Sequence, residues 1–182
     1  ALDALVENVD DLLARHDMGP AQIGLVGIAV ASTVTRAGDV GFSTNLNLDL
    51  DAYRHVFSQH FPSSEPVFVN DADAAALGAY WHDGHARVEN LLFITLGTGV
   101  GGGIVVDGKP VTGRTGSVGE VGHICIDPTE RARCGCGRRG CLEQYASAPA
   151  LVRFARAALD AAPPKRSTLA GRPFQAKDVF DA

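Results

Sequence analysis

Apolar residues recur along the chain at two spacings, and these spacings predict helices that alternate with strands. From Leu2 to Leu13 they return every three or four positions, which is typical of an amphipathic helix. The same spacing returns in residues 51–61. Short runs rich in Ile, Val and Phe at residues 23–30 and 66–69 predict buried strands instead. The first part of the chain is therefore predicted to follow the order helix, strand, helix, strand.

In the middle of the chain the pattern predicts antiparallel strands. An alanine-rich helix is predicted over residues 72–81. Strands predicted over 91–96 and 102–106 are separated by glycines. Asp107-Gly108 is a two-residue hairpin signal before a third short strand. These residues therefore predict a meander of neighbouring antiparallel strands.

Two further helices are predicted toward the end of the chain. Ser147 can cap the first of them, with Pro149 in its first turn. Its inward side is predicted to consist of Leu151, Phe154, Ala155, Ala158 and Leu159. The last helix is predicted over residues 177–182. Since the chain opens within one helix and closes within another, we expect it to be part of a larger fold.

Composition and charge narrow the possible partners. The chain has 182 residues, of which 46% are hydrophobic and 20% charged, so it can bury a core. A net charge of -5 argues against a broad surface for nucleic acid, and we expect no nucleic-acid partner for this segment. No run reaches the roughly 18 to 20 apolar residues of a membrane span, and no signal peptide is visible. The expected location is the cytoplasm.

Cysteines are clustered in one short stretch that follows a histidine. The donors His123, Cys134, Cys136 and Cys141 form a set of the Cys₃His type, which fills the tetrahedral shell of a structural Zn²⁺. The alternative is a group of free or redox-active thiols. Cys125 alternates with Ile124 and Ile126, which predicts an ordinary thiol of the core.

A glycine-rich segment directly follows a predicted strand. Residues 97–103 include five glycines and Thr98, so their backbone N–H groups could approach phosphate oxygens closely. The segment lacks the Gly-Lys-Ser/Thr ending of a Walker A loop. A purely structural hairpin is the alternative.

Acidic residues near these segments suggest chemistry on hydroxyl groups. Asn70 and Asp71 come at the end of a predicted strand, where open α/β sheets present ligand-binding side chains. Asp71 could take a proton from an attacking hydroxyl, although an Asp there is also a common helix N-cap. Glu120 and Glu143 could bind sugar hydroxyls, or they could be solvated surface residues.

Four of these segments together resemble the signatures of one family. They are residues 70–75 (NDADAA), 96–103 (LGTGVGGG), 119–123 (GEVGH) and 134–143 (CGCGRRGCLE). On these residues the chain resembles the ROK family, which comprises sugar kinases and sugar-responsive transcriptional regulators. The resemblance implies an α/β protein with an actin-like (ribonuclease H-like) ATPase fold of two lobes, partial here, with a zinc-binding loop. It implies a partial N-terminal lobe in residues 1–69 and a partial C-terminal lobe in 70–182.

The resemblance also implies a role for each matching position. Asp71 would be the catalytic base that acts on a hexose hydroxyl, with ATP and Mg²⁺ as the phosphoryl donor. The other sugar contacts would come from Asn45, Asn70, Glu120, His123 and Glu143. The nucleotide phosphates would lie against Gly97, Thr98, Gly99 and Gly101. A structural Zn²⁺ would be held by His123, Cys134, Cys136 and Cys141.

The chain departs from the family pattern in several places. Residues 30–33 (VAST) stand where many members have a Gly-x-Pro-Gly turn, and Asp73 replaces the more usual Asn. The family's Asp-x-Gly-Gly-Thr phosphate loop and its glycine-rich adenosine segment are not among these residues. This segment alone is therefore expected to be inactive. The family also suggests a homodimer or homotetramer.

Three functions follow from these observations. The first is a kinase that converts glucose to glucose 6-phosphate, with N-acetylmannosamine, N-acetylglucosamine and fructose as alternative substrates. The second is a sugar-sensing transcriptional regulator with the same sugar and zinc motifs. The third is a zinc-stabilised interaction module without sugar chemistry. The sequence leaves open which sugar and which phosphoryl donor are used, and whether the protein is a kinase or a regulator.

Overall fold

The computed structural model describes residues 2–41, 49–82, 88–161 and 167–181. The helices are α1 (Leu2–Arg15), α2 (Leu50–His60), α3 (Asp71–His82), α4 (Glu143–Ala146), α5 (Ala148–Ala161) and α6 (Ala176–Phe180). The strands are β1 (Val26–Val30), β2 (Pro66–Asn70), β3 (Asn90–Leu96), β4 (Val100–Val106) and β5 (Lys109–Pro110). Short 3₁₀ turns occupy Pro20–Gln22 and Val121–His123. Asn45, an expected sugar contact, and Ala182, the end of the last predicted helix, lie outside the described residues.

Helices α1 and α2 form a layer on the strand β1, as their apolar stripes predict. Leu13 of α1 and Phe57 and Phe61 of α2 are buried together in one cluster. The rings of Phe57 and Phe61 stack with their centroids 5.8 Å apart. Outside this cluster His60 Nε2 and Asp10 Oδ1 lie 2.7 Å apart and join the two helices. The cluster therefore holds both helices against the parallel sheet.

Strands β1 and β2 are paired in parallel, so their carboxyl ends meet at one edge. The register places Val30 opposite Asn70. Phe68 of β2 is buried with Val30 and Val34, and the guanidinium of Arg54 lies 4.8 Å from its ring centroid. Consequently the residues that follow the two strands lie beside each other, as expected for the binding edge of an α/β sheet.

The remaining strands form the predicted antiparallel meander in the order β3-β4-β5. Asp107 and Gly108 make the tight turn between β4 and β5, both with positive φ (49° and 72°). This is the backbone that a two-residue hairpin of this kind requires. One face of β3 (Leu92, Ile94 and Leu96) is exposed, while the other face is turned toward α3.

Helix α3 packs closely on β4 because β4 has glycine where the two elements touch. A Cβ atom added at Gly103 would lie 2.6 Å from the Cβ of Ala76 and 2.7 Å from the backbone oxygen of Ala72. Real Cβ atoms do not approach other atoms so closely, so the helix axis lies nearer the sheet than any larger residue at position 103 would allow.

Two predictions about burial are wrong. Phe154 is 44% exposed and Ala158 is exposed, because α5 turns Ala150 rather than these residues into the interior. The Phe154 ring instead covers Tyr145, with the centroids 6.2 Å apart. The thiol of Cys125 is exposed, because residues 124–126 lie in a loop at the surface. Among the described helices, none is both long enough and apolar enough to cross a membrane.

The close contact at Gly103 gives a prediction about stability. Gly103→Ala is expected to lower the free energy of unfolding by about 1–3 kcal/mol, since the new methyl group overlaps backbone and a rigid Cβ. Gly78→Ala is the matched control, because a Cβ at Gly78 in the exposed middle of α3 meets nothing within 4 Å. This control should raise stability by roughly 0.5–1 kcal/mol. Urea unfolding of both variants of the complete polypeptide measures the difference, and equal effects would contradict the packing argument.

Candidate functional site

The junction between β2 and α3 is held by the side chain of Asn70. Its Oδ1 accepts a hydrogen bond from the N–H of Asp73 (2.9 Å), which is the usual interaction of an N-cap. Its Nδ2 donates to the backbone oxygen of Ser32 (3.0 Å), just beyond β1. Asn70 therefore ties the start of α3 to the binding edge of the parallel sheet.

Asp71 is the first residue of α3 and its side chain is exposed. Its Oδ1 accepts a hydrogen bond from the N–H of Ala72 at 2.9 Å. The capping alternative for Asp71 is wrong, because Asn70 is the cap. An exposed carboxylate in this position can accept a proton from a neighbouring hydroxyl.

Asp73, two residues further along α3, is buried, with 3% of its surface exposed. Its Oδ1 has no hydrogen-bond partner among the described residues. Burial, followed by the negative charges of Glu120 and Asp71, raises the pKa of Asp73 to about 6. Asp73 therefore lies near enough to both Glu120 and Asp71 for their charges to act on it.

The turn between β3 and β4 has backbone donors without an acceptor among the residues that the structure describes. Gly97 donates to the oxygen of Gly99 (2.9 Å), and the Gly97 oxygen accepts from Ala148 at the start of α5 (2.8 Å). Within the described parts of the chain, the N–H groups of Thr98 and Gly99 have no acceptor. Thr98 is exposed and its hydroxyl adds a further donor. This turn can therefore present several hydrogen-bond donors to an anion.

Gly101 has a different position from the other residues of the expected phosphate site. It lies inside β4, where an added Cβ would come 2.9 Å from Thr95 Oγ1 and 3.4 Å from the Cβ of Ala72. Gly101 thus contributes to the packing of α3 on β4, while the exposed Thr98 and the half-buried Gly99 form the turn.

His123, Cys134, Cys136 and Cys141 come together, and their donor atoms all lie within 4.8 Å of one another. His123 Nδ1 is 3.6 Å from Cys134 Sγ, and Cys136 Sγ is 3.7 Å from Cys141 Sγ. A tetrahedral zinc ion with its usual bond lengths would separate S from N by about 3.5 Å and S from S by about 3.8 Å. The donors present therefore fit a Zn²⁺ ion in both chemistry and spacing.

Because this cluster is buried, its cysteines need a nearby positive charge in order to ionise. Burial, followed by hydrogen bonds with Cys136 and Cys134, raises the pKa of the Cys141 thiol to about 12. A thiolate at this buried position needs a cation beside it, which a metal ion supplies. The set leaves no ligand position open, so the chemistry of such an ion would be structural.

The backbone of the cysteine loop depends on Gly140. This residue has a φ of +68°, and an added Cβ would lie 1.8 Å from the backbone oxygen of Asp127. The backbone oxygen of Gly140 accepts a hydrogen bond from the N–H of Ile126 (2.7 Å), and the N–H of Leu142 donates to the oxygen of Ile124 (2.9 Å). These bonds close the loop so that Cys134 and Cys141 are both buried.

His123 joins the metal-ligating cluster to the carboxylates. With Nδ1 directed at Cys134, its other nitrogen, Nε2, lies 3.8 Å from Oε2 of Glu120. A carboxylate beside the second nitrogen fixes the orientation of a ligating imidazole. Glu120 therefore lies between the cysteine loop and the start of α3.

Glu143 joins the cysteine loop to the glycine turn, a role that the sequence did not indicate. Its Oε2 accepts from the N–H of Val100 (3.2 Å), and its Oε1 lies 3.4 Å from Cys134 Sγ. Ser32 was also missed, although its buried hydroxyl donates to Gly41 (2.9 Å) and its own oxygen accepts from Asn70. No sequence signal reports these contacts, because they join residues far apart in the chain.

Gly140 gives a prediction for the cysteine loop. Gly140→Ala is expected to destabilise the protein by more than about 3 kcal/mol, because it combines an unfavourable φ with an overlap on backbone. Gly135→Ala in the same loop should change stability by less than about 1 kcal/mol, since a Cβ there meets nothing within 4 Å. Thermal unfolding compares the two, and an unchanged melting temperature for Gly140→Ala would refute this account of the loop.

Comparison with known proteins agrees with this arrangement. The family model described as "ROK family" matches residues 1–181. The chain is 46% identical over 155 residues to a glucokinase of Halalkalibacterium halodurans, covering 83% of the chain and 47% of that protein. It is 33% identical over 153 residues to a xylose repressor of Caldicellulosiruptor bescii, covering 83% of the chain and 38% of that protein.

A solved structure shows the same relationship in three dimensions. The ROK family glucokinase of Streptomyces griseus, determined with glucose and AMPPNP, superposes with a TM-score of 0.69 at 35% identity, covering 88% of this chain and 51% of that one. The chain spans about half the length of the curated relatives it matches. The expected α/β, actin-like ATPase fold is thus confirmed, and the chain belongs to the ROK family.

Proposed function

We propose that the complete protein is a kinase that transfers the terminal phosphoryl group of ATP to a hexose, with glucose as the first candidate. The observation that carries the proposal is the exposed carboxylate of Asp71 at the binding edge of the sheet, on the helix that packs against the glycine hairpin. The match to a glucokinase at 46% identity supports the choice of reaction and of sugar.

In this proposal Asp71 is the catalytic base. Its carboxylate takes the proton of the attacking sugar hydroxyl, which for glucose is the 6-hydroxyl. The oxygen lone pair then forms a bond to the terminal phosphorus, and the bond from that phosphorus to the bridging oxygen breaks with its electron pair going to ADP. Mg²⁺, when bound with ATP, would offset the charge on the phosphates. Most of the catalytic effect would come from positioning of the two reactants.

The neighbouring polar groups would hold the sugar. Asn70 uses one amide hydrogen and one lone pair in the contacts that start α3, so it retains one of each for a hydroxyl. Glu120 and His123 face each other at 3.8 Å, a separation that leaves room for a hydroxyl to bond to the carboxylate. Glu143 and Asn45 remain proposed sugar ligands from the family resemblance.

The free N–H groups of Thr98 and Gly99 would bind the phosphates of the donor. Gly97 and Gly101 would act by shaping the turn and the strand, because the N–H of Gly97 is already used within the turn. The link from Val100 to Glu143 would hold this turn in place beside the cysteine loop.

A structural Zn²⁺ is part of the proposal, held by His123 and the three cysteines. The ion would fix the ring of His123, and through it Glu120, without taking part in phosphoryl transfer. The expected homodimer or homotetramer stays a prediction.

A sugar-sensing regulator is the second candidate, because the match to a xylose repressor covers 83% of the chain. A regulator can retain sugar and zinc residues without turning over a substrate. Sugar binding without release of ADP by the complete protein would favour this candidate over the kinase.

The first test of the kinase is the loss of the base. Asp71→Asn in the complete protein is expected to lower kcat for glucose by about 10²- to 10⁴-fold with little change in sugar affinity, since the amide cannot accept the proton. Asp51→Asn, at the exposed start of α2, is the control and should retain full turnover. Sugar-dependent ADP release measures both variants, and full activity in Asp71→Asn would exclude this base.

The proposed zinc site is tested by measuring the number of zinc ions per chain. The complete protein is expected to contain one zinc ion per chain, and Cys136→Ser to lose most of it together with a lower melting temperature. Cys125→Ser is the matched control, because this thiol is exposed and outside the cluster. Elemental analysis after chelator treatment measures the content. An equal zinc content in both variants would contradict the assignment.

A further inference from the structure

Two aspartates two positions apart on α3 point in different directions. Successive residues on a helix are separated by about 100°, so Asp71 and Asp73 lie about 200° apart around the axis. Asp71 is exposed, whereas Asp73 is 3% exposed. The same helix start thus presents one carboxylate to the binding edge and holds a second one inside the protein.

The buried carboxylate is not explained by packing or by hydrogen bonding. The backbone N–H of Asp73 bonds to Asn70, but its side-chain Oδ1 has no partner among the described residues. A buried carboxylate without a partner is costly for folding. A neutral side chain of the same size would avoid this cost, so the charge itself calls for an explanation.

The charges around Asp73 do not neutralise it. On its own helix the nearest charged group is Asp71. From outside the helix it faces Glu120, which directly precedes the 3₁₀ turn Val121–His123. The strands that pack against α3 are β1 to β5, and their one charged side chain is Lys109. Lys109 follows Gly108, which lies against Tyr80 near the far end of the helix. Three carboxylates therefore share one region that these strands leave without a counter-charge.

We propose that Asp73 is a positioning residue for phosphoryl transfer: its buried carboxylate, held behind Asp71 beside Glu120, favours the movement of the sugar proton onto Asp71. This inference rests on the proposed role of Asp71 as base. When Asp71 accepts the proton, its negative charge disappears and its repulsion with the carboxylate of Asp73 ends. Each neighbouring negative charge thus assists the transfer, and burial makes the charge of Asp73 more effective than an exposed one.

The effect has a defined dependence on pH. Asp73 carries its charge above a pKa of about 6 and loses it below. The kcat of the wild-type protein should therefore fall as the pH drops through about 6. Asp73→Asn lacks this charge at every pH, so its kcat at pH 7.5 should be roughly three- to thirty-fold lower and should show no such fall near pH 6.

Stability should change in the opposite direction. Because the pKa of Asp73 is raised from 3.8 to about 6 on folding, the folded protein holds this proton more tightly than the unfolded chain. Its contribution to stability is therefore full below pH 3.8 and is lost as the pH rises through about 6. At pH 7.5 Asp73→Asn should melt at a higher temperature than the wild type while it turns over more slowly. A residue with a merely structural role would not combine these two changes.

The experiment compares kcat for glucose and melting temperature from pH 5 to 8.5 in the complete protein, for the wild type, Asp73→Asn and the Asp51→Asn control. A slower but more stable Asp73→Asn without the inflection near pH 6 supports the inference, and a pH profile equal to that of the wild type overturns it. Asp71→Asn is measured in parallel. If that variant remains active, the proposed base is wrong; if it is inactive and Asp73→Asn behaves as the wild type, only the inference about Asp73 fails.

A second measurement does not depend on the folding of Asp73→Asn. Carboxyl ¹³C NMR of the wild type, without sugar, should show an aspartate that titrates near pH 6, as burial and its two neighbours require. In Glu120→Gln the same signal should titrate at lower pH, because one neighbouring charge is removed. The absence of any aspartate signal titrating near pH 6, or an unchanged midpoint in Glu120→Gln, overturns the inference.

Discussion

The arrangement of the site depends on the close approach of backbone to both faces of β4. On one face Gly103 allows α3 to pack against the strand, with an added Cβ only 2.7 Å from the oxygen of Ala72. On the other face an added Cβ at Gly102 would lie 2.8 Å from the oxygen of Gly119. Successive residues of a strand point to opposite faces, so adjacent glycines serve the two contacts. The glycines of β4 therefore bring the aspartates of α3 and the segment with Glu120 close together, one on each face of the strand.

The cysteine loop extends the same framework to the glycine turn. His123 contacts both Cys134 and Glu120, while Glu143 contacts both Cys134 and the N–H of Val100. A metal ion bound by the four donors would therefore act on two neighbours at once, the carboxylate group and the turn expected to hold phosphates. In the proposed kinase, a structural ion would thus affect function without taking part in the reaction.

In the proposed mechanism the three carboxylates of Asp71, Asp73 and Glu120 have different tasks. The three carboxylates stand in unlike surroundings, since Asp71 is exposed at a helix start, Glu120 contacts an imidazole and Asp73 is buried. Unlike surroundings separate the proton affinities of neighbouring acids, which is how a group of carboxylates can divide acid and base roles. Burying Asp73, whose Oδ1 has no hydrogen-bond partner in the described parts of the chain, lowers stability, and such a cost is common at functional sites.

Much of this architecture was predictable from local pattern. Apolar spacing predicted α1, α2 and the meander, and Asp107-Gly108 predicted its tight turn, because these features depend on neighbours in the chain. The cysteine spacing likewise predicted a cluster that the fold assembles. The inward face of α5 was predicted wrongly at Phe154, because apolar spacing marks a face without showing what packs against it.

The sequence by itself determined the order of elements, the family signatures and the set of metal-ligating residues, since each is carried by residue types at short separation. Tertiary structure alone decided that Asn70 rather than Asp71 caps α3 and that Glu143 joins the cysteine loop to the turn. It also decided that Asp73 is buried, with no hydrogen-bond partner for its Oδ1 among the described residues. The physical reason is that hydrogen bonding and burial depend on distances between residues far apart in the chain, which only the packed fold sets.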